Sequence, residues 1–300
     1  MSLQLPNAKL LQRNLPCALC GSNAGPRQLS HVIPSFIFKH SAVRSPTGYL
    51  RNSYTPNRRV QDRPKDHVLC CDCEQRFSSW ERRFAETFRN FYNNPSLPVR
   101  YNHADAMCTL SILWRVLFHA RAHPELNHLE FKGDYSRTDD AFTAWSAALL
   151  ADSNPGSFRV YWLFFDHVVG GRGIPEGINT YLFHAIDFDL MATSQESFAY
   201  AHIPGIFLFG MTEEHEESEW KDLRVGFNGG VYMHRDRVVP GFVKELINQK
   251  LGASLAAKAQ ISSTQREKIA KAALRDPHKL LSSPLARSVW ADRIIKDDNC

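Results

Sequence analysis

Apolar positions change their spacing along this chain, and the spacing predicts helices first and strands further on. Between residues 74 and 92 the large aromatic residues recur every three or four positions. A helix over this range therefore has one aromatic face, expected to pack in the core, and one charged face. The same period predicts helices over 103–122 and 139–151. Arg115 lies within the first of these apolar helices, which indicates a packed arginine with a structural partner.

Alternating apolar and polar residues replace the helical period after residue 157. The period of two is typical of strands. It predicts four of them, at 158–169, 179–190, 197–203 and 205–210. The range 223–234 is predicted to form a hairpin, because Asn228-Gly229 favours a tight turn.

Helical spacing returns at the end of the chain, over 243–258, 264–274 and 284–295. Thr264 and Glu267 have the spacing of a capping box for the second of these helices. The pattern as a whole predicts the α+β class, with antiparallel strands in the second part. It divides the chain into a loop-rich domain, 1–97, and an α+β domain, 98–300.

The charge of the chain is concentrated at its beginning. The net charge is +5 over 300 residues, but residues 1–100 hold 15 Lys and Arg against 6 Asp and Glu. The other 200 residues hold 21 against 25. A basic first third favours a polyanionic partner. No apolar run is long enough to span a membrane and residues 1–15 lack a secretory apolar core, so we expect a cytoplasmic protein.

Four of the seven cysteines form two C-x-x-C pairs, Cys17 with Cys20 and Cys70 with Cys73. Each pair can place two thiolates on one zinc ion, and two pairs complete a tetrahedral structural site. A long chain without a secretory signal favours metal binding over disulfides. Cys71 is a substitute for one ligand, and the alternative is two unrelated buried cysteine clusters.

The sequence Ser30-His31-Val-Ile-Pro34 lies between the two pairs, and the second pair opens the aromatic helix. This order of elements resembles the HNH endonucleases of the Cys-rich ββα-metal, or treble-clef, type. The resemblance covers about residues 15–90. It implies that residues 1–97 are a zinc-stabilised nuclease module that hydrolyses phosphodiester bonds in nucleic acid, DNA being the expected substrate.

The resemblance also implies roles for individual residues. His31 takes the position of the general base, and the four cysteines take the structural zinc positions. Ser30 and Glu74 take the positions of ligands to a catalytic Mg²⁺ or Mn²⁺, ions that prefer oxygen ligands. Further candidates for this metal are Asp66, His67 and Glu81. Candidates for phosphate contacts are Arg58, Arg59, Arg63 and Arg76.

Two departures from the family pattern support an alternative function. Ser30 stands where the family has Asp or His, and no Asn is evident before the second cysteine pair. Both weaken a catalytic metal site, so the alternative is a non-catalytic zinc module that binds nucleic acid or a protein partner. A third hypothesis is a zinc-stabilised scaffold without affinity for nucleic acid.

The role of residues 98–300 is open between target recognition, binding of a protein partner and regulation of the nuclease. HNH modules joined to such domains often serve bacterial anti-phage defence, as the resemblance implies.

Overall fold

A computed structural model describes residues 12–51, 55–59, 64–94, 97–123, 136–168, 170, 174–192, 197–213, 220–233 and 239–298. In these ranges the chain is a mixed fold of helices and antiparallel sheets, as predicted. The helices are α1 (Ser35–Arg44), α2 (Cys71–Asn93), α3 (His103–Ala122), α4 (Asp139–Ala151), α5 (Ile178–His184), α6 (Gly241–Ala259), α7 (Ser263–Ala273), α8 (Pro277–Ser282) and α9 (Pro284–Asp298). The strands are β1 (Gln28–His31), β2 (Lys65–Leu69), β3 (Val99–Tyr101), β4 (Val160–Phe164), β5 (Asp187–Ala192), β6 (Ser197–Ile203), β7 (Ile206–Met211) and β8 (Gly230–Tyr232).

The first part of the chain is built on the antiparallel pair of β1 and β2. Ser30 lies opposite Asp66 in this ladder, and His31 lies opposite Lys65. Helix α1 falls between the two strands, and α2 follows β2 with only Cys70 between them. The sequence pattern did not predict α1, because its apolar residues do not form a clear helical face.

The aromatic face of α2 joins the first part of the chain to the second. Phe77, Phe84, Phe88 and Phe91 are almost fully buried. Ring contacts link Phe77 with Trp114, Phe84 with Trp162, and Phe91 with Phe164. The buried apolar residues therefore form one cluster that crosses the predicted domain boundary near residue 97, and the described residues do not divide there into two cores.

A four-stranded antiparallel sheet of order β4-β7-β6-β5 lies at the centre of this core. Helix α3 packs against it, and its residues from Asp105 to Leu117 are all buried. The indole of Trp162 on β4 donates to the Thr109 hydroxyl of α3 over 2.8 Å. Strand β3 pairs separately with β8.

The strand predicted at 179–190 is wrong over its first half, where the chain forms helix α5 before β5 begins. Asp292 of α9 accepts hydrogen bonds from the backbone N–H groups of Asn179 and Thr180, over 2.8 and 3.0 Å. These N–H groups at the start of a helix need acceptors. Here a residue more than 110 positions away supplies them, so nearby sequence carries no capping signal for α5.

The hairpin predicted at 223–234 is also wrong. Strand β8 pairs with β3 and not with a neighbouring strand, whereas Arg224 forms an isolated bridge with Tyr161. Gly229 has a φ of +79°, and a Cβ there would lie 2.8 Å from the Tyr101 carbonyl oxygen. The glycine thus permits close approach to β3, a role the sequence alone does not distinguish from a hairpin turn.

The other boundaries need smaller corrections. The strand predicted at 158–169 is confined to β4. The cap of α7 is Ser262, whose hydroxyl accepts from the Gln265 backbone, and not the predicted Thr264. No helix in the described ranges has the length and apolar character needed to cross a membrane.

We expect Gly210→Ala to destabilise the fold, because a Cβ at Gly210 of β7 would lie 2.7 Å from the Trp145 ring and 3.1 Å from Leu113. Overpacking of this kind costs about 1–3 kcal/mol. Urea unfolding of both proteins measures the loss. In the control Gly252→Ala on α6, the added methyl group meets no atom within 4 Å, so no comparable loss is expected. Equal stability of Gly210→Ala and wild type would contradict the packing of α4 on β7.

Candidate functional site

The four predicted zinc ligands lie together. The sulfur atoms of Cys17, Cys20, Cys70 and Cys73 are all within 4.8 Å of one another, and all four residues are free thiols. The Cys20 and Cys70 sulfurs are 3.7 Å apart. A tetrahedral zinc ion with Zn–S bonds of about 2.3 Å separates its sulfur ligands by about 3.8 Å. The predicted cluster is confirmed, and its size suits a metal ion such as zinc.

Local backbone structure positions the two pairs. The N–H of Cys17 donates to the Ser22 carbonyl and the N–H of Gly21 donates to the Cys17 carbonyl, both over 2.9 Å. This tight loop places Gly21 at a φ of +70°, which favours glycine. The N–H of Ala18 donates to the Val68 carbonyl of β2 over 3.0 Å. The second pair follows directly, because Cys70 is the N-cap of α2 and Cys73 lies in its first turn.

Burial and hydrogen bonding shift the pKa values of three of these thiols in different directions. Burial raises the pKa of Cys73, and nearby Cys17 adds to the effect. Burial also raises the pKa of Cys20. For Cys17 burial acts in the same direction, but backbone hydrogen bonds of Cys20, Cys70 and Leu19 lower its pKa to about 7. A metal cation would favour the thiolate forms of Cys20 and Cys73, which burial opposes.

The predicted general base, His31, ends strand β1 and is half-buried. Its carbonyl oxygen accepts a hydrogen bond from Arg115 Nη1 over 2.9 Å. The same guanidinium donates to the Ser111 carbonyl over 3.2 Å and pairs with Glu81 over 2.7 Å. Arg115 is only 3% exposed, so this is a buried charge with a full set of partners. The sequence predicted a structural partner for Arg115 without identifying it, and the structure shows that this partner is Glu81. The Glu81 carboxylate is therefore engaged in an ion pair.

Ser30 and Glu74, two of the predicted ligands of a catalytic metal, contact each other. Ser30 Oγ donates to Glu74 Oε2 over 2.5 Å, although 44 positions separate them. Ser30 lies on β1 and is buried, while Glu74 lies in the first turn of α2. The fold therefore brings these two predicted positions together at the junction of strand and helix.

The remaining candidate metal ligands point in different directions. Asp66 is buried on β2, and its Oδ1 accepts from the His67 backbone over 2.7 Å. Its other oxygen, Oδ2, lies 2.5 Å from His123 Nε2. The ring of His67 instead faces the Arg27 carbonyl at 3.1 Å, as expected for consecutive residues of a strand, whose side chains point to opposite faces.

A cavity of about 10 Å³ lies between the strands β1 and β2 and helix α3. Its polar lining comes from Ser30, His31, Asp66, Arg115 and His119. Space on the order of one water molecule thus lies beside His31. The sequence pattern did not single out His119 or His123; their spacing of four positions on a helix is the signal that could have identified them.

The candidate phosphate-binding arginines are also dispersed. Arg58 is exposed, and the Arg59 guanidinium lies 3.7 Å above the centre of the Tyr49 ring. Arg76 instead donates to the carbonyl groups of Leu149 and Leu150 at the end of α4. Arg63 lies outside the described residues.

Comparison with known proteins identifies no relative. No family model matches the chain, and neither a curated protein nor a solved structure matches it.

We expect Cys73→Ser to lose a zinc ion that the wild type retains, and to unfold at a lower temperature, because metal binding contributes to folding. Native mass spectrometry counts the ion and thermal unfolding measures the stability. Cys71→Ser is the matched control, since Cys71 is exposed and outside the cluster. Equal zinc content in wild type and Cys73→Ser would contradict the assignment.

Proposed function

We propose that this chain is a metal-dependent, HNH-type endonuclease that hydrolyses phosphodiester bonds in DNA, with His31 as the general base. The supporting observation is the arrangement around the four cysteines. A tight loop carries the first pair, β1 and β2 form an antiparallel pair, and α2 begins with the second pair. This order supports the assignment of a treble-clef ββα-metal module, in which His31 ends the first strand.

In the proposed mechanism His31 accepts a proton from a water molecule. The water oxygen forms a bond to phosphorus as the bond from phosphorus to the 3′ oxygen breaks. An imidazole suits this step because it can accept a proton near neutral pH. Arg115 holds the His31 carbonyl and so fixes the end of the strand that presents the ring.

Ser30 and Glu74, whose side chains contact each other, would hold a divalent ion such as Mg²⁺ or Mn²⁺. When bound, the ion supplies positive charge to the phosphate and the leaving oxygen. Ser30 positions the Glu74 carboxylate by donating its hydroxyl proton.

The charge distribution supports a nucleic-acid substrate. The excess of positive charge lies in residues 1–100, the part of the chain that carries His31 and the cysteines. Arg58 and Arg59, the second stacked on Tyr49, offer guanidinium groups within this module. We place the activity in bacterial anti-phage defence, where HNH modules joined to further domains often act.

A non-catalytic zinc module that binds nucleic acid is the second candidate function. The specific observation in its favour is that two of the candidate metal-binding carboxylates already have partners within the protein. Glu81 is paired with Arg115, and Asp66 is paired with His123. Both carboxylates thus have protein partners, which compete with binding of a catalytic ion.

We expect the full chain to nick or cut plasmid DNA with Mg²⁺ or Mn²⁺, and His31→Ala to reduce the rate by a factor of about 10²–10⁴, as loss of a general base does. Gel electrophoresis of time courses gives the rate. His278→Ala, a change at an exposed histidine on α8, is the control. Undiminished cutting by His31→Ala would exclude His31 as the base, and binding without cutting by the wild type would favour the second candidate function.

We expect the double variant Arg58→Ala/Arg59→Ala to weaken DNA binding equally for different sequences. Loss of two phosphate contacts lowers the slope of log affinity against log salt by about 2. Fluorescence anisotropy at several salt concentrations measures this slope. Lys268→Ala/Lys271→Ala removes the same charge from exposed positions of another element, α7. Equal effects of the two double variants would indicate a nonspecific response to net charge.

A further inference from the structure

A second cluster of metal-binding side chains lies apart from the four cysteines. One ligand atom from each of Asp66, His119 and His123 lies within 4.8 Å of the other two. Asp66 comes from β2, His119 from the last turn of α3, and His123 directly follows that helix. The spacing of four positions places both imidazoles on one side of α3, and their ring centres are 4.8 Å apart.

Two imidazoles and one carboxylate are a donor set that divalent transition metals favour. Zinc sites of this kind have three protein ligands and keep a fourth position open. Asp66 and His123 are buried, with 2% and 4% of their surface exposed, and His119 is half-buried. Buried ligands of this type are more selective for a metal ion than an exposed acidic patch.

The neighbouring backbone orients the carboxylate. Because the His67 N–H binds Asp66 Oδ1, the other oxygen is directed at His123 Nε2, 2.5 Å away. Two ligand atoms of one tetrahedral ion, each about 2.0–2.1 Å from it, lie about 3.3 Å apart. A metal ion would therefore replace the proton between these atoms. Its binding would increase the distance between them by less than about 1 Å.

We propose that Asp66, His119 and His123 bind one divalent transition-metal ion, with Zn²⁺ as the expected ion. The open position of this ion would face the cavity that Asp66 and His119 share with His31, where there is space for about one water molecule. Helix α3 lies outside the segment that resembles HNH nucleases. The proposed metal site stands independently of the proposed nuclease activity, although in a nuclease it would place a cation beside the general base.

The test counts metal ions on the full chain by native mass spectrometry, after equilibration with zinc at low micromolar concentration. We expect two zinc ions on the wild type. His119→Gln is expected to lower the affinity for the second ion at least 10-fold, because it removes one of three ligands. The variant should retain the ion bound by the four cysteines. Retention of that ion shows that the variant is folded. The matched control, His278→Gln, should keep both ions.

Cobalt provides a second readout that identifies the ligands. Co²⁺ bound by thiolates gives a sulfur-to-metal charge-transfer absorption, whereas Co²⁺ bound by imidazole and carboxylate gives only ligand-field bands. We expect Co²⁺ added to protein with one tightly held zinc to give ligand-field bands alone, and Asp66→Asn to weaken them. A single zinc ion on the wild type, or a second ion with unchanged affinity in His119→Gln, would overturn the proposal and leave Asp66 and His123 as a structural ion pair.

Metal uptake and DNA cleavage separate the two proposals. Two zinc ions without cleavage would support the metal site and contradict the nuclease. Cleavage by a protein with one zinc ion would support the nuclease and contradict this metal site.

Discussion

The geometry of the site depends on the hydrogen bonds of one buried group, the guanidinium of Arg115. It reaches from α3 to the His31 carbonyl of β1 and to Glu81 of α2, so three elements meet at one charge. A buried cation without partners costs several kcal/mol, so the fold must keep all three elements in place. The aromatic face of α2 packs beside it, since Phe77 lies below the guanidinium and contacts Trp114.

Strand β2 connects this region to the four cysteines. It carries Asp66, and it leads through Leu69 directly to Cys70. The first cysteine pair is fastened to the same strand by the hydrogen bond from Ala18 to Val68. A metal ion on the cysteines would therefore fix the register of β2, and a slip of one residue would turn Asp66 away from Ser30 and His123.

Sequence patterns were most accurate where an element is defined by its own residues. The bounds of α3, α4 and β6 agree with the predicted ranges. Helix α3 begins with a capping box formed by Asn102 and Asp105, which is a local interaction. Prediction failed for α5 and β8 because a distant residue caps the first and a distant strand pairs with the second. Of the candidate site residues, spacing identified the cysteines correctly, whereas His119 and His123 were missed.

The sequence by itself determined the four-cysteine cluster and the aromatic helix after it, because thiols in C-x-x-C pairs and aromatic residues at helical spacing act through local geometry. Only the tertiary structure decided which groups surround His31. Arg115 is 84 positions from His31, and His123 is 57 positions from Asp66. Such contacts result from packing of α3 against β1 and β2, and hydrophobic burial depends on area without specifying which distant residues meet. The single core that spans residue 97 also results from packing between distant elements. The aromatic face of α2 is buried against residues of the second part of the chain.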